Sequence, residues 1–364
     1  MIQAPDKKIK VLIVDDSAFM RNTIKSLIAR DPEIQVVGTA SDGIEALEKI
    51  ALLKPDIITL DVEMPRMNGL EALKAIMESN PLPVIMVSSL TTEGAKTTLE
   101  ALELGAVDFI PKNLSELSVN IVNIKDMLLD KLKQIGSKKF KIPRRLPPLR
   151  AGIPASGRAA ATVSEPATHS VQFTSSKRIQ LVAIGTSTGG PKALQTIVPL
   201  LPKNFSVPVI ISQHMPANFT GPFAERLCQL SRLPVKEAKH GEKIENGVVY
   251  VAPGTGHMSI TKRGFDKFVS IGEDPAYIYK PSVDVMMLTA NAAIPGACLG
   301  VILTGMGNDG FKGMKAIKDS GGRTLAQDED TCVVFGMPKF VVESGLADKV
   351  VPLSEIAGEI INSI

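Results

Sequence analysis

Tryptophan is absent from this chain, and phenylalanine and tyrosine bring the aromatic share to only 4%. Recognition of nucleic acid by stacking bases on aromatic rings is therefore disfavoured. Nor is there an excess of one charge. The 41 lysines and arginines against 38 acidic residues leave a net charge of +3, too small to argue for a phosphate backbone as partner. No apolar run approaches the roughly 20 residues needed to cross a bilayer. Met1 to Lys10 is polar and mixed in charge, without the apolar segment of a signal peptide. The three cysteines, Cys228, Cys298 and Cys332, are widely spaced and odd in number, so neither a disulfide framework nor a zinc site is indicated. These absences predict a soluble protein of the reducing cytoplasm, with no nucleic-acid partner and no membrane insertion.

What is present is enough apolar sequence, 44% of 364 residues, for two cores rather than one. From Ile9 to about Ile135, short apolar runs (Ile9–Val14, Ile34–Gly38, Ile57–Leu60, Val84–Val87, Val107–Ile110) alternate with amphipathic patterns. The helical stretches are Ala18–Arg30, Gly43–Leu53, Gly69–Ser79, Glu93–Leu104 and Leu114–Ile135. Five such units predict a parallel sheet covered by helices on both faces, with ligands at the C-terminal strand ends. Asp15-Asp16 ends the first run, Asp61 the third and Ser88 the fourth, and Lys112 follows the fifth. Three carboxylates at one sheet edge repel one another unless a cation joins them. An all-oxygen set suits a hard ion such as Mg²⁺, and a lysine beside a hydroxyl suits a phosphoryl group. Singly, each has a plain structural reading: Asp16 or Ser17 as a helix cap, Asp61 as a turn residue, Lys112 as solvated surface. Five at four strand ends argue for a site.

Asp15-Asp16, Asp61-Val62-Glu63-Met64-Pro65-x-Met67-x-Gly69, Ser88 and Lys112 resemble the receiver domain of two-component response regulators, in order and across the whole segment. The resemblance implies a flavodoxin-like (βα)5 domain in which Asp61 accepts a phosphoryl group. It makes Asp15, Asp16 and the Glu63 carbonyl, with Asp61, the Mg²⁺ ligands. Ser88 and Lys112 would contact the phosphoryl oxygens, and Phe109 matches the aromatic position that reorients on activation.

This receiver is expected over residues 1–134. Periodicity then fades over 135–178, where basic residues and prolines give way to a run rich in Ala, Ser, Thr and Gly, including His169. That composition reads as a flexible tether.

A second α/β domain is expected over residues 179–364, doubly wound around a mainly parallel sheet. Its strands are predicted at Gln180–Ile184, Pro208–Ser212, Val248–Ala252 and Ala297–Leu303. The first runs into Gly185-Thr186-Ser187-Thr188-Gly189-Gly190-Pro191 and a helical pattern over Lys192–Leu201. A strand, tight turn and helix of this kind can present a nucleophilic serine beside free helix N–H groups. It is equally consistent with a phosphate-cradling loop, or with Ser187 or Thr188 capping the helix. The second strand ends in Gln213-His214-Met215, and the fourth in Leu303-Thr304-Gly305-Met306-Gly307-Asn308-Asp309-Gly310. Ser187, His214 and Asp309 thus reach one sheet edge: a hydroxyl, a base to take its proton, and a carboxylate to fix the imidazole tautomer. The order Ser…His…Asp differs from the α/β-hydrolase order and argues against an ordinary lipase or esterase fold. Alternatives stand beside this reading. His214 could be bonded to backbone, Asp309 could cap a helix over Phe311–Ser320, and His257 on its own glycine loop is a rival base. Met215, Met258 and Met306 suit packing better than metal binding.

The same motifs, with Pro253-Gly254-x-x-His257-Met258, are similar to the protein-glutamate methylesterases of bacterial chemotaxis, the CheB family. The resemblance implies Ser187 as nucleophile, His214 as base and Asp309 as its partner. Backbone N–H groups near Thr188 and Met306, with His257 nearby, are the expected oxyanion and substrate groups. Ester hydrolysis itself would need no cofactor. The substrates implied are glutamate methyl esters of methyl-accepting chemotaxis receptors, with deamidation of receptor glutamines as a related activity. A chemotaxis histidine kinase would donate the phosphoryl group, and the unphosphorylated receiver would cover the Ser187 site. Thr186 stands where the resemblance leads one to expect alanine. The competing class is a non-enzymatic phosphate- or nucleotide-binding output module.

Overall fold

The computed structural model describes residues 8–112, 121–137 and 177–364. Most of the tether and His169 lie outside them. The first body holds β1 (Ile9–Val14), α1 (Ala18–Ile28), β2 (Ile34–Ala40), α2 (Gly43–Leu53), β3 (Ile57–Asp61), α3 (Gly69–Ser79), β4 (Val84–Ser88), α4 (Thr92–Leu104), β5 (Asp108–Pro111) and α5 (Ile121–Gly136). Its strands are apolar on both faces because helices cover both sides, as a parallel sheet requires. The helix starts are written locally. Asp42 accepts two N–H bonds at the start of α2, and Asn68 with Glu71 forms a capping box on α3. The last helix is described over Ile121–Gly136, and its expected start at Leu114 lies outside the described residues. The strand order is β2-β1-β3-β4-β5. The order reverses between β1 and β3, so Asp15 and Asp61 flank the crevice where such folds bind ligands.

The second body is built from β6 (Leu181–Thr186), α6 (Gly190–Ile197), β7 (Val209–Gln213), α7 (Ala217–Leu230), β8 (Val235–Glu237), β9 (Val249–Val251), β10 (His257–Arg263), β11 (Asp266–Gly272), α8 (Val283–Ala293), β12 (Cys298–Ile302), α9 (Phe311–Asp319), β13 (Arg323–Gln327), α10 (Met337–Glu343), β14 (Lys349–Val351) and α11 (Leu353–Asn362). Seven strands form a parallel sheet in the order β14-β13-β12-β6-β7-β9-β8, and β10 and β11 form a separate antiparallel hairpin. Four strands were predicted in this body. The others escape a periodicity reading because β8 and β14 are three residues each, and the outer half of β10 is polar. Here the switch point falls between β6 and β12, which delivers the Ser187 and Asp309 loops to one crevice with His214 on the next strand.

The two bodies touch through α4 and α7. Phe109 stacks on Phe219 with ring centroids 4.5 Å apart. Arg226 reaches both Glu103 carboxylate oxygens, at 2.5 and 2.7 Å, and the Asn218 side-chain amide donates to the Leu90 carbonyl. Met306, Val333 and Val334 pack into the apolar cluster that contains Leu128 and Leu132 of α5.

Candidate active site

In the receiver body, Asp15, Asp16 and Asp61 bring carboxylate oxygens within 4.8 Å of one another. Lys112 Nζ lies 2.5 Å from Asp61 and 3.7 Å from Asp15. Asp15 and Asp61 are buried, whereas Asp16 and Glu63 are exposed. Burial pushes the Asp61 carboxyl up to about 6, with Asp15 adding to the rise and Lys112 opposing it. Burial also raises Asp15, whose Oδ2 is buried without a hydrogen-bond partner. A crowded, under-neutralised set of oxygens with an orphaned acceptor is what a hard divalent ion would complete. The loop that carries Glu63 is held tight against β3: a Cβ on Gly69 would lie 2.0 Å from the Asp61 carbonyl oxygen, so only glycine fits.

Ser88 is fully buried, and its hydroxyl faces α4 rather than Asp61. It accepts from the Thr98 hydroxyl at 2.6 Å and lies 3.3 Å from the Gly94 carbonyl. The Lys112 backbone N–H bonds the Ser88 carbonyl at 2.7 Å, which ties the two strand ends together.

In the second body the three expected residues converge. His214 Nε2 lies 2.7 Å from Asp309 Oδ2. A carboxylate only accepts, so Nε2 carries the proton and Nδ1 keeps its lone pair. No hydrogen bond joins the Ser187 hydroxyl to the ring. Their backbones, however, are locked at adjacent strand ends. The Gln213 amide donates to the carbonyls of both Ser187, at 3.0 Å, and His214, at 2.9 Å. Thr304 braces the same turn. Its carbonyl accepts from Ser187 N, and its hydroxyl donates to the Thr188 carbonyl. Thr186, the departure from the expected pattern, uses its hydroxyl here too, donating to the Thr304 carbonyl at 2.8 Å. Gly305 permits the close approach of these loops, since a Cβ there would stand 2.9 Å from that of Ser187. Neither Ser187 nor Thr188 caps α6. Gly189 occupies the cap and makes no side-chain bond. The N–H groups of Thr188 and Met306 have no hydrogen-bond acceptor among the described residues.

Asp309 does not cap α9 either, where Gly310 holds that position. It sits instead at the start of α8, accepting from Val283 N at 2.7 Å, Asp284 N at 2.9 Å and the Ser282 hydroxyl at 3.0 Å. Burial opposes its charge. The His214 bond and these helix N–H groups outweigh that and hold it below the usual carboxylate range. His257, the rival base, is buried with both ring nitrogens occupied: Nδ1 accepts from Ser282 N at 3.1 Å and Nε2 lies 3.3 Å from the Asp274 carbonyl. It can take no proton without breaking a bond that supports Ser282. Ser282 and Tyr279, which stacks on His214, were not found from sequence. Ser282 had a signal, a serine directly before the apolar-rich stretch of α8; Tyr279 had none.

An acidic phosphoacceptor-type crevice in one body and a serine, histidine and aspartate in the other define a class: a receiver joined to an α/β domain of hydrolase type. Comparison with known proteins agrees. Residues 11–120 match the response regulator receiver domain, and residues 182–360 match the CheB methylesterase. A protein-glutamate methylesterase/protein-glutamine glutaminase of Oleidesulfovibrio alaskensis is 47% identical over 366 residues, spanning 98% of this chain and 99% of that protein. One from Pyrococcus abyssi is 46% identical over 361 residues, covering 98% and 94%. The crystal structure of the Thermotoga maritima CheB methylesterase catalytic domain superposes with a TM-score of 0.50 at 43% identity, over 52% of this chain and all of that one. The chain belongs to the CheB family of protein-glutamate methylesterases/protein-glutamine glutaminases. No helix of the described residues is long and apolar enough to cross a membrane.

Proposed function

We propose that this protein is a phosphorylation-activated hydrolase that removes methyl groups from glutamate γ-methyl esters of chemoreceptors. The observation that carries this reading is the His214–Asp309 bond, built on the N-terminus of α8 beside Ser187. Ser187 Oγ attacks the ester carbonyl as its proton passes to His214 Nδ1, and Asp309 stabilises the imidazolium. The oxyanion receives the N–H groups of Thr188 and Met306. Collapse breaks the bond to methoxide, which leaves as methanol with the proton from His214. Water, deprotonated by His214, then cleaves the acyl-enzyme to free carboxylate and serine. A primary amide passes through the same acyl-enzyme with ammonia leaving, so deamidation of receptor glutamines is the companion activity.

In the receiver, residues 1–134, Asp61 takes the phosphoryl group from a chemotaxis histidine kinase. Asp15, Asp16, Asp61 and the Glu63 carbonyl would hold Mg²⁺, which neutralises charge on the transferring group when bound. The off-state arrangement supports a covering model. Ser88 is turned toward α4, Phe109 is packed against Phe219, and Met306 packs against the apolar cluster that includes Leu128 and Leu132 of α5. A phosphoryl group on Asp61 competes for the Ser88 hydroxyl, disturbs α4 and Phe109, and loosens the contact with α7. The tether, residues 135–178, keeps the receiver near the catalytic domain, residues 179–364, so that a weak interface suffices. The setting is cytoplasmic, beside receptor tails.

Methanol release from methylated receptor membranes, with and without acetyl phosphate plus Mg²⁺, tests this. Release should rise with the donor and vanish in Ser187→Ala, which should still be phosphorylated on Asp61. Release by the Ser187→Ala protein would sink the assignment.

A further inference from the structure

One face of the His214 ring is covered by a residue that belongs to no sequence motif. Tyr279 stacks on the imidazole with centroids 4.9 Å apart and planes 12° from parallel. Its phenol end reaches the next loop, where a Cβ on Gly307 would lie 3.6 Å from the Tyr279 hydroxyl oxygen. The ring thus spans from the imidazole to the loop carrying Met306 and Asp309.

The loop that holds Tyr279 in place, between β11 and α8, is itself built. Its start is pinned at Asp274, whose carbonyl meets His257 Nε2 at 3.3 Å and accepts from Tyr277 N at 3.1 Å. Tyr277 also stands edge-on to His257, at 5.9 Å. Its end is pinned where the buried Ser212 hydroxyl donates to the Pro281 carbonyl at 2.9 Å. The next residue is Ser282, which caps α8 and bonds Asp309. One loop therefore sets both the carboxylate that orients the imidazole and the ring that lies on its face.

A histidine bonded through Nε2 alone can still swing about that bond and carry Nδ1 away from the serine. A flat neighbour removes this freedom. The negative face of a tyrosine ring also favours a positive charge, and His214 becomes positive only as Ser187 attacks, so the help falls on the transition state rather than on bound substrate. Among the described residues, the charged groups coupled to this pair are Asp309 at Nε2, Asp284 beside Asp309, and Asp130 of α5 near Tyr279.

We propose that Tyr279 is a positioning residue for the hydrolysis: its stacked ring holds the His214 imidazole between Asp309 and Ser187 and covers the imidazolium as it forms. The proposal rests on the reading of Ser187, His214 and Asp309 given above. The test is methanol release by the full-length protein with acetyl phosphate and Mg²⁺, with kcat and KM for methylated receptor membranes measured separately. Tyr279→Phe keeps the ring and should retain kcat. Tyr279→Leu should lower kcat roughly 3- to 10-fold, with KM unchanged. A serine-reactive phosphonate, which needs no receptor, should label Ser187 more slowly by the same factor. Should the leucine protein melt too early to assay, Tyr279→Met takes its place. Wild-type kcat in the aliphatic variant assayed would overturn the proposal. So would a change confined to KM, or a phenylalanine variant as slow as leucine. His214→Ala serves as control. If it is inactive while the Tyr279 variants are normal, positioning alone fails; if it keeps wild-type activity, the underlying site reading fails with it.

Discussion

Asp61 and Asp309 are both buried carboxylates at the switch point of a parallel sheet, yet their environments drive them in opposite directions. Asp61 is raised to about 6, whereas Asp309 is held below the ordinary range. Burial is the largest influence on each, and it pushes both upward. The difference is in what else faces the oxygens. Asp61 meets one lysine and one N–H, from Glu63, and shares its crevice with Asp15, which repels it. Asp309 meets the start of α8, a serine hydroxyl and an imidazole. On the function proposed above, the carboxylate that would receive a phosphoryl group and a metal is left short of partners that those groups would supply. One that must stay ionised through a reaction cycle has its partners in place beforehand.

The comparison is broken most severely by making each carboxylate neutral. Asp309→Asn should cut donor-stimulated methanol release on the order of 10⁴-fold, because the amide no longer selects the tautomer. Asp61→Asn should leave basal release intact and abolish only the stimulation. Equal losses in the two variants would show that the sites do not divide the work in this way.

Ser282→Ala removes one donor to Asp309 and the cap of α8. Stability should fall by about 1 kcal/mol, and kcat by about ten-fold. Denaturant unfolding and the methanol assay read these separately, and an unchanged kcat would show the cradle to be redundant.

The pH dependence sharpens the contrast. The Asp61 value is raised above that of an unfolded aspartate, so its ionisation weakens the fold. That penalty is absent below about 4 and complete above about 6, on the order of 2–3 kcal/mol. Asp309 has the opposite sign: its contribution is present above the unfolded value and lost as pH falls through its lowered folded value. Carbon-detected NMR of the Asp61 carboxyl should show a midpoint near 6 without metal, moving down on addition of Mg²⁺. A metal-free midpoint near 4, or no response to Mg²⁺, would contradict the crowded-carboxylate account.

The smallest effect belongs to the seam between the bodies. The Arg226–Glu103 pair is partly exposed, so Glu103→Lys should raise basal release without phosphoryl donor only about two- to five-fold. Lower basal release would argue against the covering model.

Much of this was legible in the chain. The ends of β1, β3, β6, β7 and β12 follow from apolar runs that stop at Asp15, Asp61, Ser187, His214 and the Asp309 loop. Parallel topology then forces those residues to one edge. The outline of α2 and α3 was readable to the residue because Asp42 and Asn68 write the caps locally. Less was legible where contacts join distant segments. Asp309 next to Gly310 resembles a local cap, and only the packing of α8 beside β12 turns it into an acceptor for residues 25 to 27 positions earlier. His257 on a glycine loop resembles a base until its nitrogens are seen to be taken by Ser282 and Asp274.

By itself the sequence determined two α/β bodies and the identity of the polar residues at their strand ends. Periodicity and turn chemistry are short-range and leave a trace in every window of the chain. The tertiary structure alone decided which carboxylate is satisfied and which is left short, where the Ser88 hydroxyl turns, and that Tyr279 lies on His214. Those depend on groups brought together by folding from far along the chain, and no local pattern encodes the meeting.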